Sequence, residues 1–132
     1  MSSRGTSAAG SRTGRRRSAC PVACALEVVG DRWTLLVIRD LFAGKKRYGE
    51  LLASAEKIPT NILADRLKRL EREGLVSSAP YSEHPPRVEY HLTPEGRELG
   101  RSLEALAAWG LKHFPGTTRT VRPEADRDDA HG

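Results

Sequence analysis

Hydrophobic positions repeat with helical spacing along most of the chain and alternate with strand spacing in one short region near residue 90. The first helical segment begins at Pro21, which suits the first turn of a helix because its missing N–H is not needed there. It ends at Gly30, a residue type that commonly terminates helices. The pattern predicts a helix that buries one apolar stripe, formed by Val22, Leu26 and Val29.

A second helix is predicted directly after the first. Asp31 can cap its N-terminus, and Gly44 ends it. Its apolar residues lie almost all the way round, which is typical of a helix buried at the centre of a fold. They are Trp33, Leu35, Leu36, Val37, Ile38, Leu41 and Phe42. A short third helix is expected at 48–54, and Pro59 prevents a helix from continuing through the loop that follows.

A fourth helix is predicted from Thr60 to Glu73, with Gly74 as its C-terminal stop. Because Pro59 precedes this helix, we expect Thr60 to supply its N-terminal cap. Its buried stripe follows the i, i+4, i+7 spacing and consists of Leu63, Leu67 and Leu70.

Two strands and a last helix complete the predicted order. The strands cover 75–81 and 87–92 and form a hairpin whose tip spans 83–87. The second strand alternates, and its half-buried face is predicted to be Val88, Tyr90 and Leu92. Thr93 caps the last helix, which runs to His113. Its apolar line consists of Leu99, Leu103 and Leu106, with Trp109 near its end.

Four helices, a hairpin and a final helix are the element order of a winged helix-turn-helix, a mostly α-helical fold with a small antiparallel β wing. In this fold the second helix of the pair enters the major groove of DNA, and the wing contacts the adjacent backbone or minor groove. The fourth helix is therefore the candidate recognition helix. A turn of 100° per residue places opposite its leucine stripe Asn61, Asp65, Lys68 and Arg72, with Arg66 and Arg69 on one flank.

Residues of this helix, of the segment just before the third helix and of the wing are candidates for DNA contact. The amide of Asn61, near the N-terminus of the recognition helix, can pair with adenine, and the cations further along suit phosphates. A solvated charged face is the alternative, because Glu71 and Glu73 dilute the positive field. The candidates are Arg47, Thr60, Asn61, Asp65, Arg66, Lys68, Arg69, His84 and Arg87.

The positive charge of the chain is concentrated at its N-terminus. The net charge is +5, and residues 1–19 contain five Arg and no acid. This segment and the tail at 115–132 carry few apolar side chains, so we expect both to be disordered around an ordered domain at 20–114. A basic arm favours a polyanion such as nucleic acid without specifying its sequence, and a solvated arm without a partner is the alternative.

Composition and motifs exclude several classes of protein. No apolar run approaches the about 18 residues that cross a bilayer, and no apolar segment follows the N-terminal arginines as in a secretory signal. A cytoplasmic protein without a membrane partner is expected.

The sequence also lacks the motifs of common enzymes and metal sites. The histidines and cysteines lack metal-ligand spacing, and no phosphate-binding glycine loop or nucleophile elbow is found. We therefore expect no enzyme activity, metal or cofactor. A winged helix that binds protein or RNA is the alternative function.

The two cysteines, Cys20 and Cys24, lie one turn apart at the start of the first helix. The helix dipole and the arginines at 15–17 favour the thiolate form of Cys20, whereas Cys24 is expected to be a small buried apolar residue. Cys20 as a structural thiol is the alternative. A disulfide between the two is not expected, because an i, i+4 pair in a regular helix lacks disulfide geometry.

Several motifs occur in a fixed order between Cys20 and Gly110. They are Cys20-Pro21-Val22, Gly30-Asp31-Arg32-Trp33, Arg47-Tyr48-Gly49-Glu50-Leu51, Leu63 through Leu67-Lys68-Arg69-Leu70-Glu71, Gly74-Leu75-Val76, Pro85-Pro86-Arg87-Val88-Glu89-Tyr90, Leu92-Thr93 and Gly96-Arg97. With these motifs the chain resembles the HxlR-type family of bacterial winged-helix transcriptional regulators, relatives of the MarR group. It departs from the family at Pro59, where the family usually has Ser.

The resemblance implies a sequence-specific regulator that binds double-stranded DNA as a homodimer on an inverted-repeat operator. It implies a dimer built from the first and last helices, and the apolar stripes on both agree, although the same residues could instead cover the small core. Some family members use a cysteine at the position of Cys20 to sense oxidants or electrophiles. This implies a redox-sensing role for Cys20, with an oxidant or small molecule as effector.

Overall fold

The computed structural model describes residues 18–118, so the predicted arm at 1–19 and tail at 115–132 fall almost entirely outside the described residues. Five helices and one antiparallel hairpin follow one another in the order predicted from the sequence. Their bounds are α1 Pro21–Val29, α2 Arg32–Phe42, α3 Tyr48–Leu52, α4 Thr60–Arg72, β1 Val76–Glu83, β2 Pro86–Leu92 and α5 Pro94–His113. This mostly helical arrangement with a two-stranded wing is the winged helix-turn-helix fold, as predicted.

Two of the predicted helix caps are present. The Asp31 carboxylate accepts a hydrogen bond from the backbone N–H of Thr34 at the start of α2. The Thr93 hydroxyl accepts one from the backbone N–H of Gly96 at 3.1 Å at the start of α5. Each bond satisfies one N–H that the first helical turn leaves without a partner.

The cap predicted for α4 is wrong. Pro59, with φ −62° and ψ 144°, is the N-cap residue, and Thr60 is already the first residue of the helix. The ring of Pro59 fixes a backbone angle that suits this position, so the cap lies one residue earlier than expected while the helix itself begins at Thr60 as predicted. No side chain caps α4, and its first N–H groups therefore face outward without a side-chain acceptor.

The hairpin is longer than predicted. Glu83 pairs with Pro86, which leaves only His84 and Pro85 in the turn instead of the predicted tip at 83–87. The register shifts between Pro80 and Ser82, so β1 carries an irregularity at Tyr81. A bulge of this kind increases the local twist of a strand and redirects its side chains.

The core is built around α2. Ile38 is fully buried, and α2 packs against α4, α5 and β2. Two of the three residues predicted for the inner face of β2, Tyr90 and Leu92, are half-buried against the core, whereas Val88 is exposed because it lies further out on the wing. The predicted central position of α2 and the buried leucine stripe of α4 are both present in the structure.

The outer faces of α1 and α5 are exposed. Val29 is buried, but the prediction of burial is wrong for Val22 and Leu26 within a single chain, since both point away from the core. On α5, Leu99 and Leu103 pack against the core while the following turns leave it. The most exposed large apolar residues of these two helices are Val22 (66%), Leu26 (53%), Leu106 (57%) and Trp109 (56%). None of the helices within residues 18–118 is long and apolar enough to cross a membrane.

Candidate nucleic-acid interface

The turn between α3 and α4 is held from both sides. The Tyr48 hydroxyl donates to the carbonyl oxygen of Thr60 at 2.9 Å, which joins the first turns of the two helices. Ser54, in the turn, donates to the buried carboxylate of Asp40 on α2. Arg39 binds Glu56 through two hydrogen bonds, at 2.9 and 3.0 Å. These contacts fix the direction in which α4 leaves the turn.

One face of α4 is exposed along its whole length. It lies opposite the buried leucines, as the spacing predicts, and it presents Asn61, Asp65, Lys68 and Arg72. Lys68 and Arg72 have no ion pair with any residue of the described segment 18–118. One of the acids expected to weaken the positive field is engaged elsewhere, because Glu71 accepts a hydrogen bond from the Ser78 hydroxyl of the wing at 2.8 Å.

Arg66 and Arg69, on the flank of α4, are engaged within the chain. Arg66 contacts Asp31 at 3.0 Å and Asp65 at 2.6 Å. Arg69 donates to the carbonyl oxygens of Glu27 at 3.3 Å and Val28 at 3.1 Å. Although burial works in the opposite direction, hydrogen bonds from Thr34 and Arg66 hold the pKa of Asp31 below its ordinary value.

Arg47 links the start of α3 to the wing. Its guanidinium lies over the ring of Tyr81, 4.0 Å from the ring centroid, and its Nε is 3.4 Å from a carboxylate oxygen of Glu89. A backbone bridge joins Arg47 to Glu89, and the N–H of Tyr90 donates to the carbonyl of Lys46 at 2.8 Å. Arg47 is therefore half-exposed and oriented beside the wing.

Glu50 closes the first turn of α3. Its carboxylate accepts hydrogen bonds from the backbone N–H groups of Lys46 at 2.8 Å and Arg47 at 2.9 Å. These two bonds hold the pKa of Glu50 below its ordinary value. Glu50 thereby stays ionised and fixes the segment that carries Arg47.

The tip of the wing presents His84 and Arg87. Both side chains are exposed, and neither has an ion pair with another described residue. The Ser82 hydroxyl donates to the carbonyl of Pro85 at 3.0 Å and closes the turn between them. The wing thus carries a second group of exposed basic side chains.

The two cysteines occupy different environments. Cys20 is the N-cap residue of α1 and is exposed. Cys24 is half-buried, and its thiol donates to the carbonyl of Ser18 at 3.2 Å. Both are free thiols, and no group of three or more His, Cys, Asp or Glu residues in the described part of the chain could hold a metal ion.

Sequence reasoning missed the partners of the arginines. Asp31 was predicted as a helix cap, but not as a partner of Arg66 and Arg69, and Tyr81 and Glu89 were not assigned to Arg47. The pairs are 35 to 42 positions apart in sequence, as in Arg66 with Asp31 and Arg47 with Glu89. No local spacing signals such a pair, so only the fold reveals it.

Comparison with protein families gives a match to the HxlR-like helix-turn-helix model over residues 28–118. An HTH-type transcriptional regulator of Mycobacterium tuberculosis is 44% identical over 91 residues, which cover 69% of this chain and 57% of that protein. The chain thus spans little more than half the length of this relative.

Solved structures show the same likeness. A transcriptional regulator of the MarR family from Porphyromonas gingivalis superposes with a TM-score of 0.66 at 35% identity, over 76% of this chain and all of that one. The redox regulator HypR in its oxidised form superposes with a TM-score of 0.65 at 34% identity, over 71% of this chain and 97% of that one.

Proposed function

The chain belongs to the HxlR-like helix-turn-helix family of transcriptional regulators, and we propose that it binds double-stranded DNA sequence-specifically, as a homodimer on an inverted-repeat operator. The observation that carries this proposal is the exposed face of α4, which combines Asn61 with Lys68 and Arg72, two cations that form no ion pair with a residue of the segment 18–118, above a fully buried leucine stripe. Such a regulator acts in the cytoplasm, where a bacterial chromosome lies.

The polar groups of α4 suit two kinds of DNA contact. Asn61, the second residue of the helix, can form two hydrogen bonds with adenine through its amide oxygen and its amide nitrogen. Asp65 can accept a hydrogen bond from the amino group of cytosine. Lys68 lies further along, where a cation meets phosphates. The uncapped N-terminus of α4 at Thr60 adds outward N–H groups and the positive end of the helix dipole, both of which favour a phosphate.

The wing supplies contacts beside the groove. Arg87 and His84 are exposed at its tip, and Arg47 is oriented at its base by Tyr81 and Glu89. Contacts of this type to the DNA backbone position the protein without reading its sequence. We assign Arg47, His84 and Arg87 to this role.

The exposed apolar faces of α1 and α5 support a homodimer. Val22, Leu26, Leu106 and Trp109 are each more than half exposed, and Trp109 is in ring contact with His113 and Phe114. Isolated apolar side chains are common on a surface, but four large ones on the first and last helices support the proposal of an interface. A twofold dimer uses the same patch on both copies and presents two copies of α4 to a palindromic site.

Cys20 is the proposed site of redox control. It is exposed at the N-terminus of α1, two residues before Val22 on the proposed dimer face. An oxidant that takes two electrons and two protons from two thiols would join the Cys20 residues of the two protomers by a disulfide. The likeness to a redox regulator, HypR, supports this assignment. An unreactive structural thiol is the competing role for Cys20.

The experiment that tests the proposed function combines DNA selection with sedimentation. We expect the purified chain to enrich an inverted repeat from a random duplex pool, with half-site centres about 34 Å apart, and to bind it as one dimer. Selection of single half-sites by a monomer would contradict the dimer. Equal retention of random DNA, with tighter binding of single-stranded RNA, would favour the alternative of an RNA-interaction module.

A further inference from the structure

The last turn of α1 contains no basic residue. The last carbonyl groups of a helix lack partners inside the helix, and a cation placed there satisfies them and the negative end of the dipole. In this chain the cation comes from another element, because Arg69 of α4 donates to the carbonyls of Glu27 and Val28. The recognition helix therefore caps the helix that bears the proposed dimer face.

Asp31 extends the same contact. Its carboxylate caps α2 through Thr34, lies 3.0 Å from Nε of Arg66, and lies 3.7 Å from Nη1 of Arg69. Asp31 and Gly30 are also the whole connection between α1 and α2. A methyl group on Gly30 would lie 2.2 Å from the carbonyl oxygen of Leu26, so a side chain at Gly30 would clash with the last turn of α1. Two arginines of α4 are thus anchored at the junction of α1 and α2.

The rest of α1 has little contact with the domain. Val22 and Leu26 are exposed, and Val29, beside the junction, is its one buried residue. The orientation of α1 relative to α4 therefore depends on its last turn, where Val29 is buried and Arg69 binds two carbonyl groups.

We propose that Arg69, with Asp31, is a positioning residue that sets the angle between α1 and the recognition helix, and so fixes the half-site spacing that the dimer accepts. This inference rests on the proposed function, since half-site spacing has meaning only for a dimer on an inverted repeat. It reassigns Arg69 from a phosphate contact to a tether within the protomer. Three acceptors, two carbonyls and one carboxylate, already surround its guanidinium.

The test compares Arg69→Gln with Lys68→Gln, a matched loss of the neighbouring cation on the same helix. Affinity is measured on a series of inverted repeats whose half-site spacing changes by single base pairs, and hydrogen exchange is measured for peptides of α1 without DNA. Arg69→Lys and Asp31→Asn are the milder variants, and Asn at 31 retains an acceptor for the cap of α2.

For Arg69→Gln we expect the preference for the best spacing to fall by about 2- to 30-fold, while the preferred half-site sequence stays the same. Exchange in α1 should rise, because two carbonyls lose their donor. Arg69→Lys and Asp31→Asn should move both readouts in the same direction by less. Lys68→Gln should weaken every spacing alike, lower the salt slope by about 1, and leave α1 exchange unchanged.

The same experiment distinguishes a failure of the proposed role of Arg69 from a failure of the proposed function. If Arg69→Gln weakens all spacings equally and leaves α1 exchange at the wild-type level, Arg69 is a phosphate contact and the tether is wrong. If the wild type shows no preference for any inverted repeat, the proposed function is wrong. Faster α1 exchange in Arg69→Gln would then still support the tether, and unchanged exchange would refute it.

Discussion

The guanidinium of Arg47 lies 4.0 Å from the centroid of the Tyr81 ring, and this contact joins the first turn of α3 to the irregular part of β1. Glu89 on β2 holds the same guanidinium from another side. A basic side chain that enters a DNA interface already oriented loses less rotamer freedom on binding than an unrestrained one. The wing and the helix-turn-helix are therefore joined at a residue that we assign to DNA contact.

The Arg47–Tyr81 contact predicts a measurable coupling. In a double-mutant cycle of Arg47→Ala and Tyr81→Leu, urea unfolding at a fixed protein concentration should give a coupling of about 0.5–1 kcal/mol, the usual range for an exposed cation–π pair. The matched cycle of Arg87→Ala with Tyr81→Leu should give none, because in the described part of the chain the cation over the Tyr81 ring is Arg47 and not Arg87. Equal coupling in both cycles would contradict the contact.

Asn61 and Lys68 are predicted to act differently on DNA. Asn61→Ala should cost about 1–3 kcal/mol on the best operator and little on random DNA, because it removes a bond to a base edge. Lys68→Ala should weaken all sequences alike and lower the slope of log K against log salt by about 1. Both effects are measured by titrating operator and random duplexes at several salt concentrations. Equal losses on both duplexes for Asn61→Ala would refute its role in base recognition.

The features predicted from the sequence are those that depend on neighbouring residues. The caps at Asp31 and Thr93 follow from one side chain and the next turn, and the inward leucines of α4 follow from helical periodicity. The start of α4 at Thr60 was predicted, but its cap was not, because Pro59 occupies the cap position that a hydroxyl side chain usually takes.

Long-range contacts of the candidate site could not be predicted in this way. Arg69 donates a hydrogen bond to the backbone carbonyl of Val28. Because every residue has a backbone carbonyl, the sequence gives no signal that this one is the acceptor. The exposure of Val22 and Leu26 could not be predicted from the sequence for a related reason. An apolar stripe on a helix has the same spacing whether the core of its own chain or a second copy of the chain covers it. Only the placement of α1 on the domain separates the two.

Close packing of α5 on α2 predicts that Gly100 tolerates no side chain. A methyl group there would lie 2.3 Å from a ring carbon of Phe42, which is itself buried. Gly100→Ala should lower the free energy of unfolding by about 1–3 kcal/mol, since overpacking outweighs the gain in helix propensity. The control is Gly49→Ala on α3, where nothing lies within 4 Å, and it should be neutral or stabilising. Urea unfolding of both variants checks this, and equal effects would contradict it.

The pKa of Asp31 predicts a dependence of stability on pH. Because its folded pKa is held below the ordinary value, the ionised carboxylate stabilises the fold above about pH 4, and this contribution is lost as the pH falls through the folded pKa. Asp31→Asn keeps a cap for α2 but loses the charge. The difference in unfolding free energy between wild type and Asp31→Asn should be constant near neutral pH and shrink in acid. A difference that does not change down to pH 2 would refute the ion pair.

Cys20 is predicted to respond to oxidation while Cys24 does not. Cys20 is exposed at the end of α1, whereas the thiol of Cys24 is half-buried and bonded to the Ser18 carbonyl. Diamide takes two hydrogens from two thiols, and a disulfide between the Cys20 residues of two protomers would pull the ends of both α1 helices together. Because α4 is anchored to α1, the two recognition helices would shift relative to each other, and a palindrome tolerates little change in their spacing.

After diamide treatment, the operator affinity of the wild type should fall by about 5- to 150-fold, the usual range of such coupling. A non-reducing gel should show a disulfide-linked dimer. Cys24→Ser should behave in the same way, and Cys20→Ser should keep full affinity after treatment. If wild type and Cys20→Ser respond equally, or neither responds, Cys20 is a structural thiol and the regulator takes its signal from another part of the molecule.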